Sequence, residues 1–277
     1  MSDQMTLSSV RAPSPKNVWA PVRRALFLAA PGIALLSFWQ FASGRLIRET
    51  YVSKPTDIAW RLVDLFYTGE IWPSLRVTGE ELVLSYVIGV LLGLLLGYAL
   101  GRSPRLADIF EPYVMAFYGI PKIALAPLFV IWFGIGIWSK VMLAGTMVFF
   151  LVFYNVFAGV RSVDRDVVNL ALVLGANERQ LGRQIYLPAA APFLLLGMRM
   201  AIPYAVIGVI VGEFTSSTAG LGLFINYASS TYDPAGVFAG IFILLAFVMG
   251  MNALANRLER KLLKWQPTSH RIAAEPN

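Results

Sequence analysis

The chain has no cysteine among its 277 residues and one histidine, His270. Without thiols there are no disulfides and no thiolate metal sites, although this leaves the compartment open. No paired His is available for a metal, and neither H-E-x-x-H nor G-x-S-x-G occurs. There is no G-x-x-x-x-G-K-[ST] either: none of the six lysines follows a glycine, so the chain has no P-loop to cradle ATP. Charge is also scarce, at 14% of residues. Within the apolar runs Arg199 and Glu213 are the main ionisable groups, too few for the relay of an ion-driven carrier. These absences leave no catalytic centre, no metal site and no cofactor of the chain's own. Uphill work, if the protein does any, must draw energy from another subunit.

What the chain has in abundance is apolar length. It is 57% hydrophobic with a mean hydropathy of +0.64, where soluble domains are about 45–50% apolar. Its apolar residues cluster in runs of about 18–25, enough to cross a hydrocarbon core of roughly 30 Å. The fold class is therefore all-α: a polytopic membrane protein with six spans, expected at about 24–43, 78–100, 113–135, 141–160, 190–212 and 236–256. Residues 1–20 read as a disordered cytoplasmic tail, 21–265 as the six-helix domain and 266–277 as a second cytoplasmic tail. The first run is too long and too late for a cleaved signal peptide, and is read as a retained helix.

The net charge of +7 is explained by topology. With the N-terminus inside, 15 Lys and Arg residues fall in cytoplasmic segments: Arg11, Lys16, Arg23, Arg24, Arg102, Arg105, Arg161, Arg165, Arg179, Arg183, Arg257, Arg260, Lys261, Lys264 and Arg271. Six fall outside: Arg45, Arg48, Lys54, Arg61, Arg76 and Lys140. That bias puts both termini in the cytoplasm. Lys122, after Pro121, is expected at a helix break near the cytoplasmic face, snorkelling to the interface. Outside, residues 54–67 repeat apolar side chains at helical spacing but are too short to span, which predicts an amphipathic surface helix.

Two further patterns stand out. Gly89, Gly93, Gly97 and Gly101 recur every four residues. Such a stripe lets helix backbones approach closely in lipid, as a packing face within the bundle or between subunits. At the outer end of the fifth span, Glu213, Ser216, Ser217, Thr218, Gly220 and Gly222 form a polar, glycine-containing stretch for which a translocation path or gate role, together with Arg199, stands beside that of a plain outer loop.

The 164–188 insert is the most informative segment. Val167, Leu170, Ala171 and Leu174 keep helical spacing; Gly175 falls where that helix should stop. Asn177 suits an N-cap, with Gln180 three residues on as in a capping box. A second short helix, about 178–187, carries Leu181 and Ile185 on one face and Arg179 and Arg183 on another, and Pro188 ends it. The shape, helix–Gly turn–helix on the cytoplasmic surface, suits docking in a cleft of a soluble partner.

Residues 169–188, NLALVLGANERQLGRQIYLP, resemble the "EAA" loop of permease subunits in bacterial ABC importers, with the pattern E-A-A-x3-G-x9-I-x-L-P. Ala171, Gly175, Ile185, Leu187 and Pro188 match in register; Asn169 and Leu170 replace the usual Glu and Ala, which removes a charge. GRSPRLADIFEPYV, GIPKIALAPLFVIWFGIG, AGVRSVD, LGMRMAI and TAGLG are similar to the nitrate/sulfonate/taurine subfamily, from about residue 50 to 265. The resemblance implies a type I ABC importer permease in the bacterial inner membrane. It implies a homodimer, two cytoplasmic ATP-binding subunits that carry ATP and Mg and receive the loop (Glu178 included) as a coupling helix, and a periplasmic or lipid-anchored substrate-binding protein. The cargo implied is a small solute, an anion such as nitrate, sulfonate, taurine or bicarbonate, with a thiamine-precursor pyrimidine also carried by relatives, and nucleic acid is excluded. A stand-alone secondary carrier or channel is the competing class; a membrane-embedded enzyme lacks any residue set to support it.

Overall fold

The computed structural model describes residues 20–262. The expected tails at 1–19 and 266–277 lie outside the described residues, and Ala20 already belongs to a helix. Every regular element among the described residues is helical: α1 (Ala20–Ala42), α2 (Pro55–Thr68), α3 (Trp72–Arg102), α4 (Pro104–Gly119), α5 (Ala126–Phe133), α6 (Ile137–Arg161), α7 (Arg165–Val173), α8 (Glu178–Leu181), α9 (Leu187–Thr215), α10 (Leu221–Ser230) and α11 (Pro234–Leu262). A 3-10 turn, Lys122–Leu125, precedes α5, and a π turn, Gly182–Tyr186, joins α8 to α9.

The core is a three-helix layer with α6 between α3 and α9. Val148, Val152, Val156 and Val160 of α6 meet Leu82 of α3 and Ala201, Ala205 and Val209 of α9. The glycine stripe makes the first of these contacts. A Cβ built on Gly89, Gly93, Gly97 or Gly101 would lie 2.6–2.9 Å from α6 atoms. At the end where α2 lies, Leu65 and Ile71 share a cluster with Leu221, Ala239 and Ile243, and α2 rests on α11.

Four helices meet the length and hydropathy needed to cross a membrane, and a bent pair, Pro104–Gly119 with Lys122–Phe133, makes five if counted as one crossing. The first expected span, 24–43, coincides with α1, a helix of 23 residues of which Ala29–Ala42 is the apolar stretch among the described side chains; with α1 set aside the count is four or five crossings. The third expected span, 113–135, starts instead at Pro104 and bends by 81° after Gly119. Ile120 is extended (φ −69°, ψ 131°) because the ring of Pro121 clashes with a helical residue before it.

Two local expectations also shift. Pro188 does not end a helix: it sits in the first turn of α9, where its missing N–H is tolerated, and the π turn carries the axis from α8 into α9. The stretch after Thr218 is not a plain loop, since α10 forms within it; Gly220, at φ +125°, starts that helix.

Candidate functional site

The 164–188 insert lies at the end of the bundle where α3 and α6 end at Arg102 and Arg161 and the π turn ends at Tyr186. Asp164 caps α7 through the Asp166 N–H at 2.8 Å. α7 closes in a Schellman motif: Gly175 N–H donates to Leu172 O and Ala176 N–H to Ala171 O, each at 2.9 Å. The reversal needs φ +87° at Gly175, a left-handed conformation that penalises any Cβ, although the space there is open. Both bonds of the capping box follow, Gln180 N–H to Asn177 Oδ1 at 2.9 Å and Asn177 N–H to Gln180 Oε1 at 2.8 Å.

Contacts remote in sequence then pin the second arm to the bundle. Arg102 donates to Glu178 Oε2 at 2.7 Å and to Glu178 O at 3.2 Å. Its guanidinium lies over the rings of Tyr98 and Tyr186, at 5.6 and 5.3 Å. Tyr98 donates to Gly182 O at 3.0 Å, and a Cβ on Gly182 would lie 2.9 Å from the Tyr98 oxygen and from Arg102 Nη1. Leu181 is buried beside them. The Arg102 and Tyr98 anchor has no signal in the loop's own sequence.

The first arm is not buried in this way. Val173 and Leu174 are 85% and 78% exposed, and Val167, Leu170 and Leu172 are exposed too. Ala171 and Ile185 are half-buried; Asn169, Glu178, Arg179, Arg183, Leu187 and Pro188 are exposed. Asn169 borders a cavity of about 190 Å³ that Arg102, Arg161 and Arg165 also line. The loop thus offers an uncovered apolar arm flanked by a cationic one.

The other candidate residues lie apart from the loop. Glu213 is 1% exposed and grips the start of α10: Oε1 accepts from the Thr78 hydroxyl at 2.6 Å and Oε2 from the Gly222 N–H. Thr78 Oγ in turn accepts from the Leu221 N–H at 2.7 Å. A Cβ on Gly222 would lie 2.8 Å from Glu213 Cβ. Glu81 and Lys140, 1% and 2% exposed, pack around the same carboxyl; Lys140 Nζ donates to Ile135 O and Gly136 O at 3.0 and 3.1 Å. Lys140 was expected as an outer-loop charge and is instead inside the first turn of α6. Ser216 caps α9, Ser217 bonds the Ala219 carbonyl, and Thr218 is exposed. Arg199, on the surface of α9, bonds Asn256 of α11. Lys122 also moves: rather than reaching an interface, it stands against the middle of α6, over the ring of Phe150. Among the described residues no group of three or more His, Asp or Glu side chains converges as a metal site would.

Residues 89–264 match the family described as binding-protein-dependent transport system inner membrane component. The chain is 38% identical over 240 residues to a formylaminopyrimidine transport permease protein of Halalkalibacterium halodurans, covering 84% of this chain and 93% of that one. It is 33% identical to a putative aliphatic sulfonates transport permease protein of Bacillus subtilis, covering 84% of each chain. It is 30% identical to a taurine transport system permease protein of Escherichia coli, covering 88% and 92%. Its fold is similar to a chain of an inward-facing methionine ABC transporter, with TM-score 0.59 at 19% identity over 70% of this chain and 97% of that one. An amino acid ABC transporter chain gives TM-score 0.58 at 21% identity, covering 73% and 98%.

Proposed function

The chain belongs to the binding-protein-dependent transport system inner membrane component family, the permease subunits of ABC importers, and on that premise we propose how it works. Two copies form the pore in the bacterial inner membrane, with both termini in the cytoplasm. Two ATP-binding subunits bind ATP and Mg on that side, and a periplasmic or lipid-anchored binding protein delivers the solute. Hydrolysis on the partner switches the pore between inward- and outward-open states. The chain itself is a transporter subunit and not an enzyme.

The observation that carries this reading is the asymmetry of the 164–188 insert. One arm is fastened to α3 by Arg102 and Tyr98, while the other leaves Val173 and Leu174 uncovered beside a Schellman turn. A rigid strut with an apolar tip transmits a push; a solvated connector needs neither feature. The relatives are named for transport of formylaminopyrimidine, aliphatic sulfonates and taurine. Here the cargo is a small solute, for which an anion such as a sulfonate, taurine, nitrate or bicarbonate is the reading the family resemblance supports.

The test uses the native absence of cysteine. Val173→Cys should cross-link to a cysteine in the coupling cleft of the ATP-binding subunit, and the yield should change when vanadate traps the nucleotide state. ATP-driven uptake in proteoliposomes should require that subunit and the binding protein. Solute uptake by this chain alone in vesicles would refute the reading in favour of a secondary carrier.

A further inference from the structure

Lys122 occupies a costly place. Its ammonium lies 4.6 Å from the ring centroids of both Tyr118 and Phe150 and donates to the Tyr118 carbonyl. Phe150 is the fourteenth of the 25 residues of α6. At a rise of about 1.5 Å per residue, Arg161 at the helix end is roughly 16 Å away along the axis, and the opposite end is about as far. The four-carbon stem of lysine does not bridge such a distance, so snorkelling cannot relieve the charge. None of the ion pairs among the described residues includes Lys122. Two aromatic faces and one carbonyl stabilise an ammonium without neutralising it.

An ionisable group at this depth faces lipid, the bundle interior or a watered path. The first is the most expensive, and such groups in membrane proteins mark solute or ion pathways. Lys122 opens onto a cavity of about 400 Å³, within the roughly 300–1,000 Å³ range of small-molecule sites. The break between α4 and the following turn forms one wall. Ile120, Phe150 and Leu151 make it apolar; Tyr118 and Tyr204, each 45% exposed, bring phenol groups to it. The combination is one fixed positive charge in an otherwise apolar, aromatic chamber, at the only backbone break in that crossing.

We propose that this chamber is a binding site for the transported solute, which carries a single compact oxyanion, a sulfonate or carboxylate, on a small apolar body. The oxyanion pairs with the Lys122 ammonium, and the body lies against Ile120, Phe150 and Leu151. The proposal rests on the permease reading and gives it a solute class.

Two measurements test it. In the first, the full chain in nanodiscs of zwitterionic lipid is acetylated with a neutral succinimidyl ester. The peptide containing Lys122 is quantified by mass spectrometry, with Lys54 as reference. Ethanesulfonate should slow acetylation of Lys122 by about tenfold once it exceeds its dissociation constant tenfold, since protection scales as 1 + [L]/Kd. Ethanesulfonamide, the neutral counterpart, should not protect. A Lys122 that resists acetylation outright, equal protection by the sulfonamide or no protection by the sulfonate overturns the site. In the second, the complete importer carries Lys122→Met or Lys122→Arg. Sulfonate uptake should fall by an order of magnitude or more with Met and be retained with Arg in complexes that assemble equally. Wild-type uptake with Met in place refutes the proposal. An importer that moves neutral solutes but no anion in an ATP-dependent way also overturns it while leaving the permease reading intact. Uptake that needs no ATP-binding subunit sinks the permease reading instead, and the acetylation result still decides the site.

Discussion

Alanine at two glycines of one helix should change stability in opposite directions. Gly93 of α3 faces Phe149 O and Val152 Cβ, both 2.9 Å from where its Cβ would be, with Phe153 N at 3.0 Å. These are backbone atoms and the stiff base of a β-branched side chain, so none can swing aside. Ordinary contact starts near 3.4 Å, so α3 and α6 must separate by 0.5 Å. A gap of about 0.5–1 Å forfeits a quarter to a half of the dispersion well along the seam, and overpacking of this kind costs about 1–3 kcal/mol. Alanine returns about 0.8–1.0 kcal/mol of helix propensity, which leaves a net loss of up to about 2 kcal/mol. Gly79 lies in the same helix with only the tip of the Phe247 ring nearby, at 3.5 Å. There the propensity acts alone, and Gly79→Ala should gain about 1 kcal/mol. Gly97 needs a larger separation, because Phe153 O is 2.7 Å from its Cβ position. One rigid shift then relieves both sites, so the Gly93→Ala, Gly97→Ala double variant should cost little more than Gly97→Ala. Reversible unfolding in mixed detergent–SDS micelles, followed by far-UV circular dichroism, measures all four. Equal stability of Gly93→Ala and Gly79→Ala, or a double variant that equals the sum, would refute the packing argument.

The buried anchor of α10 should behave differently from a gate. Glu213→Ala leaves the Thr78 hydroxyl and the Gly222 N–H without their acceptor, at about 1–3 kcal/mol for each buried group; hydrogen exchange at the Leu221 and Gly222 amides should rise sharply, and Glu213→Gln should recover part of the loss. Arg102→Ala removes an exposed ion pair to Glu178, so stability should change by less than about 1 kcal/mol. Exchange over residues 178–186 should nonetheless accelerate and coupled uptake fall, because the strut has lost its fastening. For topology, Asn177→Cys should stay unlabelled by an impermeant maleimide in intact cells, while Tyr67→Cys, at a position 91% exposed, should label; the reverse pattern would invert the orientation.

The amino-acid order alone determined what depends on neighbours within a turn or two. Runs of apolar residues place most crossings, because a hydrocarbon slab rewards any helix long enough, whatever its partners. The Schellman turn at Gly175 and the Asn177–Gln180 box were legible because both are closed by atoms no more than five residues apart. The α2 surface helix followed from its period. The tertiary structure alone decided what depends on packing between distant segments. Thr78 reaches Glu213 across 135 residues to hold α10, and Arg102 reaches Glu178 across 76 to hold the insert. No local pattern marks either pair. Lys140 reads as a loop charge until α6 carries it inside, and Lys122 reads as a snorkelling residue until the 81° bend carries it to the middle of α6. Hydropathy registers how much charge a segment carries, but only the path of the folded chain decides at what depth each charge sits and what faces it.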